Sequence, residues 1–289
     1  MHFPIALLAI LVGLTVVSSS ATACGPDSDC VIGDRIYRID MPRGHDGATP
    51  VGAVIYSHGH RGTAAGVMAE LTGRSGGYSR GKGVMANKSL RKIVTDLGFA
   101  LIATKSSGTG WSLPGAPSWN AETSVDELPY FDRLIEDVTA RFPIDRNRLV
   151  ATGFSAGGMM VWTLACHSSG MFAAFVPMSG TFWRPIPQTC TTPPAHLLHI
   201  HGDADRTVPL TGRKIRETQQ GDVHDVLSMY AAYGHYGDKT PFPFGQMTCE
   251  EQQSPAGKNL SFCLFKGGHS FRAETMKLVL VRLQKIGAI

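Results

Sequence analysis

The chain has 289 residues, 43% hydrophobic and 17% charged, with a formal net charge of +4. That apolar content suits one large domain or two small ones and argues against disorder. A positive charge this small, with its basic residues scattered, excludes nucleic acid as an expected partner.

In chain order, the N-terminus comes first. Ile5 to Val17 is an apolar run of 13 residues, followed by Ser18-Ser19-Ser20 and Ala21-Thr22-Ala23. This is the pattern of a hydrophobic segment with an A-x-A cleavage site, and it is too short to span a bilayer comfortably. Residues 1–23 are expected to be a signal peptide, although no Lys or Arg precedes the run. The mature protein would be secreted or periplasmic, with no stable membrane span. Lipid anchoring at Cys24 is the lesser alternative, since Ala21 rather than Leu lies three residues before it. Six cysteines in an oxidising compartment suggest disulfides, in about 15 formal pairings. Sequence proximity favours Cys24–Cys30, Cys166–Cys190 and Cys249–Cys263.

Residues 34–41 alternate apolar and polar and read as an exposed edge strand. Val51 to Ser57 is a buried strand ending at His58-Gly59, and a Gly-rich stretch follows to Gly83. Leu90, Ile93, Val94 and Leu97 have helical spacing, and Phe99 to Thr104 is a second buried strand. Residues 105–123 are irregular. The next helix carries Phe131, Leu134, Ile135, Val138 and Phe142 on one face; it begins with a Ser124/Glu127 capping box or at Pro129. Arg148 to Gly153 reads as a strand, and Ala156 to Cys166 as a helix. Phe172 to Met178, His196 to His201 and Ser261 to Phe265 are further strands, and residues 222–236 and 270–286 are helical. Strand and helix alternate, so the expected fold is α/β: a mostly parallel sheet covered on both faces, in a single domain over 24–289. Ligands of such sheets sit beyond the carboxyl ends of the strands.

Gly153-Phe154-Ser155-Ala156-Gly157 fits G-x-S-x-G between a strand and a helix, the setting of a nucleophile elbow. Ser155 is the candidate nucleophile, and the Ala156 backbone N–H is one oxyanion donor at the helix start. A serine hydroxyl needs a base, and in this architecture acid and histidine follow in that order. Asp205 lies on the loop after the strand HLLHI, with Asp203 as its competitor. His269 lies in the Gly-rich loop after SFCLF. The second oxyanion donor is assigned to the His60 amide of His58-Gly59-His60-Arg61-Gly62, with Arg61 as the alternative; His58 supports the loop. A metal held by His58 and His60 is not expected, because no H-E-x-x-H or third ligand accompanies them, and no cofactor is expected. Trp111, Trp119, Phe182 and Trp183 lie in loops on the cleft side, as an aromatic wall for substrate or as packing.

These motifs together carry a resemblance. Pro143 through Met160, His201-Gly-Asp-Ala-Asp-Arg-Thr-Val-Pro209 and Gly267-Gly268-His269 resemble blocks of secreted esterases of the polyhydroxybutyrate depolymerase and feruloyl esterase group. The resemblance covers roughly residues 24–285. It implies an α/β-hydrolase fold and hydrolysis of carboxylic esters through Ser155, Asp205 and His269, and its acid-loop pattern selects Asp205. His60-Arg61 and Ser270-Phe271 depart from the group's usual residues at positions bordering the substrate. The expected substrate is an oligomeric or polymeric ester, polyhydroxybutyrate in the first instance. Feruloyl or acetyl xylan esters are the alternative, and a peptidase or a non-catalytic binding protein on the same scaffold are further rivals.

Overall fold

The computed structural model describes residues 24–69, 90–118 and 125–289. The expected signal peptide, Trp119, Ser124 and most of the Gly-rich stretch before Gly83 lie outside the described residues.

Strands β1 (Cys30–Ile32) and β2 (Arg35–Asp40) form an N-terminal hairpin, followed by β3 (Val51–Ser57). Helices α1 (Ala64–Met68) and α2 (Leu90–Asp96) precede β4 (Ala100–Thr104). Then come α3 (Leu128–Arg141), β5 (Ile144–Phe154), α4 (Ala156–His167), β6 (Ala174–Met178) and β7 (His196–Gly202). A small ribbon of β8 (Lys214–Ile215) and β9 (Thr218–Gln219) leads to α5 (Val223–Tyr233). The chain ends with β10 (Thr240–Pro241), β11 (Thr248–Gln253), β12 (Asn259–Phe265) and α6 (Thr275–Lys285).

Ten strands form one sheet in the order β1-β2-β4-β3-β5-β6-β7-β12-β11-β10. The six from β4 to β12 are mutually parallel, and antiparallel hairpins close both edges. The mostly parallel sheet is what the alternation of elements leads one to expect, and its topology is the α/β-hydrolase fold that the resemblance implies. The central strands are apolar on both faces because both are covered. Ala53, Ile55, Leu149, Ala151 and Phe175 pack toward α3, α4 and α5. Their sequence neighbours Val54, Val150, Ala174 and Val176 pack toward α1, α2 and α6. Strand order reverses at β3, between β4 and β5, so the ends of β3 and β5 flank a switch-point crevice where such sheets bind ligands.

Three local expectations change. β2 is not an edge strand: β1 pairs outside it, and Tyr37 and Ile39 are buried. Helix α3 starts at Leu128 with Pro129 in its first turn, so the proline start holds over the capping box. Glu127 makes no cap because its carboxylate turns inward, as described below. Residues 237–258 had no sequence assignment, yet they supply β10 and β11; Glu250, Glu251, Gln252 and Gln253 hide a strand that only pairing with β12 creates. The three disulfides join Cys24 to Cys30, Cys166 to Cys190 and Cys249 to Cys263, as proximity favoured. The last bridges directly opposed residues of β11 and β12.

Candidate active site

Ser155 has φ 60° and ψ −121°, a conformation that non-glycine residues avoid. Pairing holds it there: its N–H donates to the Met178 carbonyl at 2.9 Å, and its carbonyl accepts from Met159 at 3.0 Å. It occupies the N-cap position of α4, but its side chain makes no capping bond. A Cβ at Gly157 would stand 1.8 Å from the Ser57 carbonyl oxygen, and one at Gly153 would stand 2.6 Å from the Gly157 carbonyl. The glycines of the motif are therefore what allow the end of β3 to lie against the elbow.

That close approach brings the His58–Gly62 loop beside the serine. A Cβ at Gly59 would lie 3.6 Å from the Ser155 Cβ. The Arg61 amide donates to the Thr109 carbonyl at 2.5 Å, so it is committed elsewhere and drops out as the second oxyanion donor. His58 is buried, and its role as loop support is visible in its bonds. The Ser106 amide donates to its Nε2 at 3.1 Å, which makes Nδ1 the protonated nitrogen that donates to the Gly59 carbonyl at 2.7 Å. Burial holds the imidazole down to about 4, so it stays neutral. With both ring nitrogens engaged, His58 has no lone pair to offer a metal.

Trp111 is a correction. It is 1% exposed, donates from its indole to the His58 carbonyl at 2.8 Å and packs on Phe131. It supports the loop from within and cannot wall a substrate. Behind it lies a buried ion pair that sequence reasoning missed. Arg35 donates to Glu127 at 2.8 Å, and Glu127 also accepts from the Ser107 hydroxyl at 2.9 Å and the Ser112 amide at 3.1 Å. The irregular segment after β4 is thus folded around a single carboxylate.

On the opposite flank, the ends of β7 and β12 are adjacent and parallel. The Asp203 amide donates to the Phe265 carbonyl at 3.0 Å and the Ala204 amide to the Gly267 carbonyl at 2.9 Å, which zips the two loops together. Asp205 Oδ1 accepts the Thr207 and Val208 amides at 2.8 and 2.9 Å, while Oδ2 accepts His269 Nδ1–H at 2.6 Å. It is both an Asx turn and the partner of the histidine. Burial acts to raise the Asp205 carboxyl, but the bond and charge of His269 with the two amides outweigh it and hold the group below the usual range. The competitor Asp203 faces outward, bonding Lys266 Nζ at 2.7 Å and the Gly267 amide at 3.1 Å. It ties down the histidine loop instead of orienting the imidazole. The His269 ring lies 4.5 Å, centroid to centroid, from Phe154, the residue before Ser155.

Phe182 and Trp183 line an apolar cleft of about 90 Å³ with Leu113, Met159 and Thr181. Met159 lies one helical turn beyond Ser155 on α4. Trp119 is outside the described residues. No group of three or more potential metal ligands occurs among the described residues.

A sequence profile of the phospholipase/carboxylesterase family matches residues 120–235. The chain is 25% identical to a "Probable feruloyl esterase C" of Aspergillus niger over 71% of its own length and 70% of that protein's. It is 29% identical to a "Putative esterase NocK" of Nocardia uniformis over 40% of its length, but spans only 33% of that relative. Among solved structures, acetyl xylan esterase from Aspergillus awamori superposes with a TM-score of 0.55 at 14% identity, covering 92% of this chain and 97% of that one. That likeness is one of fold.

Proposed function

We propose that this chain, an α/β-hydrolase similar in sequence to carboxylesterases and feruloyl esterases, hydrolyses carboxylic esters through Ser155, His269 and Asp205. The observation that carries the reading is the 2.6 Å bond from His269 Nδ1–H to Asp205, with the imidazole packed at a tilt against the residue that precedes a strained Ser155. A carboxylate only accepts, so Nδ1 carries the proton and Nε2 keeps its lone pair for the serine. His269 Nε2 takes the Oγ proton as Oγ bonds to the ester carbonyl carbon. The oxyanion develops against the Ala156 amide, at the start of α4, and the His60 amide. Collapse breaks the bond to the alcohol oxygen, which leaves with the proton from His269. Water then repeats the sequence on the acyl-enzyme and frees the acid.

Sequence similarity to feruloyl esterases, and over a shorter stretch to an acetylxylan esterase, favours a phenolic or acetyl ester of a polysaccharide over polyhydroxybutyrate as the substrate. Three disulfides support an extracytoplasmic site of action. The test is a panel of methyl ferulate, acetylated xylan and 3-hydroxybutyrate oligomers, with Ser155→Ala as blank. That variant is expected to fold normally and to lose at least ~10⁴-fold in turnover. Turnover retained in the variant refutes the nucleophile, and a preference for the oligomers restores the depolymerase reading.

A further inference from the structure

His199 and His201 are alternate residues of β7, so both side chains leave the same face of the sheet, and both are 0% exposed. In the sequence they read as part of an apolar strand, and the acyl-transfer scheme does not use them. Fully buried imidazoles are costly unless their two nitrogens are satisfied. Here they are satisfied in a line. The indole N–H of Trp162, on α4, points at His199 Nδ1 at 3.2 Å. His199 Nε2 lies 2.9 Å from His201 Nδ1. His201 Nε2 lies 2.8 Å from the Val208 carbonyl and 3.5 Å from Asp205 Oδ2.

The direction of this line follows from chemistry. An indole nitrogen only donates, so His199 Nδ1 must be the bare nitrogen and Nε2 the protonated one. His201 Nδ1 must then accept, and His201 Nε2–H must donate. A carbonyl and a carboxylate at the far end only accept, so the two ends demand the same orientation. Reversing His201 would set a lone pair against the Val208 carbonyl and Asp205, and reversing His199 would set its Nδ1–H against the indole N–H of Trp162. Val208 is held from both sides: its amide donates to Asp205 Oδ1 and its carbonyl accepts from His201. The line therefore terminates on the turn that orients the acid.

We propose that His201 is a positioning residue for Asp205, and that Trp162 and His199 lock it as a neutral Nε2–H donor that pins the Asp205–Val208 turn and faces the carboxylate oxygen bonded to His269. This rests on Asp205 being the orienting acid of the proposed reaction. Substrate is not touched. A charged His201 would compete with His269 for Asp205, and a reversed one would repel it. The titratable groups facing the pair are Asp205 and His269 at the site end and His224 from α5, with Phe262 of β12 stacked on His199. Burial, the largest influence on both rings, opposes their protonation.

The first measurement uses ¹⁵N-edited NMR of imidazole tautomers in the Ser155→Ala protein, which needs no turnover. Both rings are expected as neutral Nε2–H tautomers at pH 8 and still so at about pH 6.5, where a free imidazole is half protonated. An Nδ1–H tautomer at His201, or protonation of either ring near pH 6.5, overturns the proposal. The second compares His201→Phe with His201→Gln, whose amide can place an N–H where Nε2 stood. His201→Phe is expected to lower kcat by about 10–100-fold, the range seen when a hydrogen-bonding support behind a functional ligand is lost. KM should be unchanged, and the acid limb of the kcat/KM profile should move; His201→Gln should restore most of both. A folded His201→Phe within two-fold of wild type, with its acid limb in place, refutes the role. Should the Phe variant not fold, Gln and the tautomer spectra decide. Loss of the acyl-enzyme scheme itself would appear separately, as turnover in Ser155→Ala.

Discussion

Two flanks hold the elbow, and they are built from opposite materials. On the His58 side, support comes from charge: Arg35 and Glu127, both nearly inaccessible, with Lys105 bonded to the Ser106 and Gly108 carbonyls. On the Asp205 side, support comes from neutral donors arranged in line from Trp162 through His201. The difference has a physical reason. The first flank must order a long irregular segment, and one carboxylate can collect several amides and hydroxyls at once. The second must present a single ionised carboxylate to His269. A further cation beside it would divert the charge that Asp205 holds for the imidazole.

Removing a charge should break this comparison most sharply. Glu127→Ala leaves Arg35 buried without its partner, and a broken buried pair costs about 3–5 kcal/mol. Urea unfolding should register a loss of that size, together with reduced esterase activity as residues 105–112 loosen. Replacing both partners by apolar residues should recover a large part of the stability. If Glu127→Ala unfolds within about 1 kcal/mol of wild type, the charged flank is not the support described here.

Acidification should act on the buried imidazoles. Burial lowers His58 and His196 to about 4, and lowers His199 and His201 as well. Each folded value lies below the unfolded one, near 6.5. In between, the unfolded chain binds more protons, so stability falls as pH drops from about 6.5 toward 4. Asp205, also lowered, pushes the same way at still lower pH. Unfolding midpoints should be highest near neutrality and decline steadily below it, and His196→Gln should flatten the slope. A midpoint constant from pH 7 to 4.5 would mean that these rings are not held neutral.

The smallest effect is expected at the surface. Asp203 bonds Lys266, whose side chain is 93% exposed. Asp203→Ala should leave the unfolding midpoint close to that of wild type and change turnover only a few-fold. Asp205→Ala in the same assay should abolish most activity, which separates the two acids that compete in the motif.

Much of this was legible without a structure. Local periodicity sets strand and helix, so the parallel core and the strand–elbow–helix at Ser155 could be read from spacing, while the choice of Asp205 over Asp203 rested on the resemblance. Cysteine proximity sufficed for all three bridges. What stayed hidden depends on residues far apart in the chain. Arg35 and Glu127 are 92 positions apart, and nothing local marks either as buried. Trp111 looked like a cleft residue until its indole was seen to cap the His58 carbonyl. His199 and His201 looked like passengers in an apolar strand. Their alternation fixed that they share a face, but only the packing of α4 and the acid loop against that face supplied Trp162 at one end and Asp205 at the other. A sequence determines which residues leave the same side of a strand or helix through backbone geometry alone. Which donor meets which acceptor is a matter of tertiary distance, and hydrogen bonds fall off too steeply for periodicity to reveal them.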